Sequence, residues 1–172
     1  MKKLLFIAAL ASGLLGATSA YAQASASTSA SGSVTLLRPI TITKTADLEF
    51  GRVVKPSSGT GTVSMTNASD ATTAGSGAVA ISGITTSRAK FTIDGEGGQG
   101  VSVTVPATFS ITNGTDSITV TTTQNLGAST TLSNALGAAG SASLNVGGNF
   151  SVPSANSTGL YTGTLNVSVA YN

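Results

Sequence analysis

Three carboxylates are the residues best placed by type to do chemistry. Asp94 and Glu96 sit two apart, and Asp116 follows twenty residues later. A close acid pair can serve glycoside hydrolysis as acid and base, or hold calcium together with loop carbonyls. Here the pair borders a glycine-rich stretch, Gly95-Glu96-Gly97-Gly98-Gln99-Gly100, so both acids read first as turn residues. The same stretch matches the spacing G-x-G-x-x-G. A dinucleotide site needs a helix after that loop, because the helix N-terminus holds the pyrophosphate. Val101, Val103 and Val105 alternate with Ser102 and Thr104 instead, which is strand periodicity, so the loop reads as a hairpin turn. The sequence contains no His and no Cys. Ser–His and Cys–His nucleophiles are therefore impossible, and zinc loses both of its preferred ligand types. No residue is assigned a catalytic, cofactor-binding or metal-binding role, no cofactor is expected, and the chain is read as a non-enzyme.

The elements that would carry such residues follow from the pattern of apolar positions. Residues 1–22 separate from the rest: Lys2 and Lys3 are followed by an apolar stretch from Leu4 to Leu15, then by Ala20-Tyr21-Ala22. That layout is a secretory signal peptide, cleaved between Ala22 and Gln23. The apolar stretch is short for a ~20-residue membrane span, and polar residues follow at once. Export to the periplasm, the cell surface or the medium is the expectation.

Removing the signal leaves 150 residues (172 less 22) and changes the charge. Eight Lys plus Arg, less Lys2 and Lys3, leaves six, against six Asp plus Glu. The exported chain is formally neutral, and its cations are scattered. A nucleic-acid partner would need a basic patch, so none is expected. Insertion of the exported chain into a membrane as a β-barrel would need aromatic girdles. The chain has no Trp and only four Phe and two Tyr after residue 22, so that is not expected either.

Residues 23–33, QASASTSASGS, are small and polar and read as a flexible arm. From Val34 to Asn172 the period is two. Val34 and Leu36 alternate, then Ile40 and Ile42 after Pro39. Leu48 and Phe50, Val63 and Met65, Phe91 and Ile93, Phe109 and Ile111, and Ile118 and Val120 repeat the pattern. Leu144 and Val146 stand before Gly147-Gly148, with Phe150 and Val152 after them. Leu165, Val167, Val169 and Tyr171 close the chain. Alternation of this length, rich in Val and Thr and punctuated by turn residues, reads as half-buried antiparallel strand. The predicted fold is all-β, an immunoglobulin-like antiparallel β-sandwich over residues 34–172. The Ala-rich stretches 71–78 and 125–140 are broken by Gly and read as loops.

Several stretches carry a family resemblance. They are Leu48-Glu49-Phe50-Gly51 with Gly59-Thr60-Gly61-Thr62-Val63, Phe91-Thr92-Ile93-Asp94-Gly95, Val146-Gly147-Gly148, and the final run from Gly159 to Asn172. Together they resemble the bacterial secreted family called domain of unknown function 4402. More distantly, the chain is similar to the spore coat U domain used by subunits of archaic chaperone–usher pili of Gram-negative bacteria. It departs from that group in lacking a cysteine pair. The distant resemblance implies a sandwich that lacks its last strand and is completed by a neighbour. It also implies a fimbria-like structural subunit that self-assembles or pairs with a related subunit, with a periplasmic chaperone as a further partner.

Two readings of the first apolar run stay open. Val34, Leu36, Ile40 and Ile42 are either the donor strand given to a neighbour or the first strand of a self-complete sandwich. Burying four such side chains contributes roughly 6–12 kcal/mol at ~1.5–3 each, before ordering costs. Leu165, Val167, Val169 and Tyr171 are the expected anchors of the terminal strand. The alternative to a structural subunit is a soluble binding module or adhesin that recognises glycans.

Overall fold

The structure, a computed structural model, describes residues 25–172. The expected signal peptide and its cleavage point between Ala22 and Gln23 lie outside the described residues. The chain divides into a first unit that ends at Val34 and a second, Thr35–Asn172. The described part of the first unit, 25–34, carries neither helix nor strand and is exposed throughout.

The second unit is all-β. Its strands are β1 (Thr41–Ala46), β2 (Val53–Val54), β3 (Thr60–Met65), β4 (Thr72–Gly75), β5 (Val79–Ala80), β6 (Ala89–Glu96), β7 (Gly100–Thr104), β8 (Thr108–Thr112), β9 (Ser117–Gln124), β10 (Ser129–Thr131), β11 (Ala139–Pro153) and β12 (Ser168–Tyr171). All pairings are antiparallel. Seven strands, β1, β6, β11, β3, β4, β8 and β9, make one large sheet, and β10, β7 and β12 make a small one packed on it. This is the β-sandwich that period-two burial predicts.

β11 organises the large sheet. Val146 pairs with Ala89 of β6 and with Gln124 of β9, so those strands flank it on opposite sides. Gly148 pairs with Met65 of β3 and Thr122 of β9. β6 and β3 therefore share one flank of β11, end to end, and diverge at Gly147. A side chain there has no room: a Cβ on Gly147 would lie 2.3 Å from the Met65 carbonyl oxygen, and one on Gly148 2.7 Å from Val120. The two glycines do not interrupt the strand, as a turn would. They let one fifteen-residue strand serve three partners.

One core cluster lies between the sheets, and Val63, Met65 and Val120 are buried outside it. Ile93, Leu144, Val101 and Val146 are 0% exposed, and Ala89, Val103 and Leu132 join them. Alternation explains the selection, since successive Cβ atoms point to opposite faces. Each such side chain stabilises the fold by about 1.5–3 kcal/mol.

Four expectations are corrected. The stretch 71–78 contains β4, and 125–140 contains β10 and the start of β11; both are Ser/Thr/Ala strands without bulky apolar residues. The glycine-rich loop after β6 is not a hairpin, because β7 pairs with β10 and β12 rather than β6. It is the corner where the chain leaves one sheet for the other. A Cβ on Gly97 would meet the carbonyl oxygens of Ala135, Ala138 and Ser133, so segment 133–138 fills the place a hairpin partner would take. Val34 and Leu36 belong to no strand, since β1 begins at Thr41. Leu165 and Val167 precede β12, whose four residues include only Val169 and Tyr171 of the expected anchors.

Candidate functional site

The small sheet does not cover the large one. Its strands have three to five residues, and Pro106, which has no N–H to give a ladder, follows soon after β7 ends. Beyond it runs an irregular strap, residues 154–167, which meets β8 at the Thr112–Thr162 bridge. Between strap and sheet lies a groove of about 800 Å³. Its floor carries Phe91 from β6, Phe109 and Ile111 from β8, Ile118 from β9, and Phe150 and Val152 from β11. Phe50, from the connection after β1, meets Phe150 edge to face at 4.9 Å between centroids. All four aromatic rings are half-buried although their alternation points them inward. Leu160, 81% exposed, stands at the lip of the groove on the strap.

The strap is held at few points. Thr112 and Thr162 exchange two backbone hydrogen bonds, each 2.9 Å. Ser157 N–H donates to Asp116 Oδ2 at 2.6 Å, and Tyr161 Oη donates to the Ser157 carbonyl at 2.9 Å. Lys55 Nζ donates to the carbonyls of Ser154 and Asn156 at 2.9 and 2.7 Å. The Ser157 N–H holds the Asp116 carboxyl below its ordinary value of 3.8. Desolvation, with the Asp116 charge beside it, pushes the Tyr161 hydroxyl up. Between residues 158 and 167, Thr162 alone has backbone–backbone hydrogen bonds among the described residues. The rest of the strap main chain lies along the groove without ladder partners. An extended segment laid there would find apolar pockets on one side and free main-chain groups on the other.

A second cluster sits at the other end of β6. Glu96 is 3% exposed. Its Oε2 accepts from the Arg38 backbone N–H at 3.2 Å and from Arg38 Nη1 at 2.8 Å. Its Oε1 accepts from the Gly137 N–H. Tyr171 Oη accepts from the Glu96 N–H at 2.7 Å and donates to the Arg38 carbonyl at 2.8 Å. The N–H and C=O of Arg38 are thus both bound by side chains, as a neighbouring strand would bind them. The Gly137 N–H, chiefly, holds Glu96 below its ordinary value of 4.5, with the Arg38 contacts adding to it against desolvation.

These contacts fix the place of every residue singled out from the sequence. Asp94 is exposed on β6, Glu96 has both oxygens committed to the clasp, and Asp116 anchors the strap, so the three acids serve different elements. Among the described residues no three acidic side chains gather in one place. Ile40 and Ile42 are half-buried and pack against the core, as do Leu165, Val167, Val169 and Tyr171. Val34 and Leu36 are 81% and 85% exposed. The groove itself was not readable from the chain, because its walls come from residues as distant as Lys44 and Leu165. The clasp carried one signal, an ionisable residue continuing the β6 alternation beyond Asp94.

The family model described as Domain of unknown function (DUF4402) matches residues 40–171. The chain belongs to that family. The match begins at Ile40, where the core packing begins, and ends at Tyr171, whose hydroxyl joins the clasp. Comparison with curated proteins and with solved structures gives no match.

Proposed function

We propose that this family member is an exported structural subunit of a cell-surface or fimbria-like assembly, completed by an extended segment of a neighbouring subunit. The observation that carries this reading is the groove: half-buried Phe50, Phe91, Phe109 and Phe150 beside a strap whose main chain has almost no partners. An added strand would give the strap its ladder and bury the rings. Main-chain bonds supply affinity in such pairing, and alternate side chains in pockets supply specificity. Low charge fits the same role, because few charged residues guard the open edges against association.

The test is the size of purified protein beginning at Gln23, measured over a range of concentrations and after heating in detergent. Multimers that survive heating are expected, since a strand threaded between two layers leaves only when the sandwich opens. A monomer at every concentration contradicts the proposal. Electron microscopy of the producing cell gives the same answer in place, as filaments or as their absence.

A further inference from the structure

We propose that subunits also meet body to body: the exposed apolar face of the β2–β5 ribbon of one copy packs on Leu37 and Leu136 of a second copy. This rests on the reading of the protein as an assembling subunit and adds to it a contact between folded surfaces, separate from any strand in the groove.

Two apolar patches carry it. Val54, Val79 and Ile81 are 51%, 57% and 45% exposed. Val54 and Val79 are register partners, and the Ile81 N–H donates to the Arg52 carbonyl at 2.9 Å. Alternation sets Arg52, Val54, Val79 and Ile81 on one face of the ribbon, while Val53 and Ala80 take the half-buried face. The ribbon pairs with neither larger sheet. Single apolar side chains on a surface are ordinary, but a contiguous group marks a contact. The second patch lies at the clasp. One carboxylate, Glu96, accepts the N–H of both Arg38 and Gly137. The preceding residues, Leu37 at 43% and Leu136 at 55% exposure, are thereby brought to one place.

The patches cannot cover each other within one copy. Leu136 lies three residues before β11 begins at Ala139. Val79 follows Ala78, which crowds any Cβ on Gly61, and Gly61 pairs with Val152 near the other end of β11. Those ends are thirteen residues apart (152 less 139), roughly 40 Å of strand. Charge matches the patches to each other. Among the described residues, Glu49, Arg52 and Asp94 are the charged side chains with no ion pair or side-chain hydrogen bond. Glu49 lines the groove. Arg52 stands on the ribbon face, and no acid occurs in residues 50–69 or 71–87. Asp94 is exposed and pairs with Ser141, beside the start of β11 and the second patch. Ribbon on ribbon would set Arg52 against Arg52, which like-charge repulsion disfavours. Ribbon on clasp sets Arg52 toward Asp94. Val54 also lines the groove, so this contact is continuous with the groove's own. Two different patches joined in this way make a heterologous contact, which builds an open chain of subunits unless its rotation closes a ring.

The absence of Cys makes the test direct. Val79→Cys and Leu136→Cys each place one thiol on one patch, at exposed positions. Protein beginning at Gln23 and carrying both should give a ladder of covalent oligomers with a short bismaleimide. The two single variants mixed should give a covalent dimer and nothing larger, and each alone should give none. Dimers from Val79→Cys alone would overturn the inference in favour of ribbon on ribbon. Multimers without any 79–136 cross-link would also overturn it, and would leave strand-mediated assembly standing. A monomer at every concentration would remove both this inference and the function it rests on. Charge exchange gives an independent check. Arg52→Asp and Asp94→Arg should each raise severalfold the concentration at which multimers form, with the monomer's thermal transition in place, and the double variant should restore it. Single variants without effect, or a double variant that does not recover, contradict the pairing of these two patches.

Discussion

Two neighbourhoods on β6 and β11 are built from the same strands and end in different states. Where residues of β7 and β10 pack against the large sheet, Ile93 and Leu144 are fully buried. Phe91, the register partner of Leu144, and Phe150 line the groove and stay half-buried, beside a strap with one backbone bridge. Burial is therefore set by how far the second layer extends, not by the sequence of the first. Period-two patterning says which way a side chain points. It does not say whether anything is there to meet it.

The largest test of this contrast compares truncations in the two neighbourhoods. Leu144→Ala should cost about 2–5 kcal/mol of unfolding free energy, because a sealed core keeps the cavity. Phe109→Ala removes more atoms but should cost the monomer only about 1–2 kcal/mol, since its ring is half-buried already. Urea unfolding of both variants in an arm-deleted background checks the ratio. Equal costs would mean that the two neighbourhoods are equally closed. Gly147→Ala comes next, at about 1–3 kcal/mol, because the new methyl meets the Met65 carbonyl where β6 and β3 diverge. Its cost should persist whether or not the groove is filled.

Tyr171→Phe keeps the ring and deletes the hydroxyl that bridges Glu96 and Arg38. A loss of about 1 kcal/mol is expected, together with faster hydrogen exchange at Arg38 and Glu96. The smallest effect is in pH. Asp70 is held down chiefly by Lys90, Glu96 chiefly by the Gly137 N–H, and Asp116 chiefly by the Ser157 N–H, from ordinary values of 3.8, 4.5 and 3.8. Folded values below unfolded ones mean that their stabilisation is complete above about pH 5 and is lost as pH falls through the folded values. With no His in the chain, thermal midpoints should be flat from about pH 5 to 8 and decline below. Glu96→Gln should make that acid decline shallower, and an unchanged slope would show that the clasp carboxylate contributes nothing to it.

Much of the fold was legible in the residues. The alternations at Phe91 and Ile93 and at Val101 and Val103 each became a strand. What stayed hidden has physical reasons. β4 and β10 are edge strands whose Thr and Ser residues need no apolar face, so no periodicity marks them. Gly147-Gly148 resembles a turn because small residues suit both turns and close crossings. Val34 and Leu36 carry a strand's pattern without a strand, because a pattern records a need for burial and not its partner. The groove depends on the ends of short strands, the least readable feature of any sequence, and on a strap that follows no period.

The central claim is that the strap is an unfinished edge awaiting a strand, and backbone amide exchange measures this most directly. In the assembled protein, amides between residues 158 and 167 should be strongly protected. In protein lacking residues 23–37, the same amides should exchange rapidly, while those of β6 and β11 stay slow. Equal and rapid exchange of the strap in both forms, at concentrations where the chain beginning at Gln23 has assembled, would show that nothing pairs with it there.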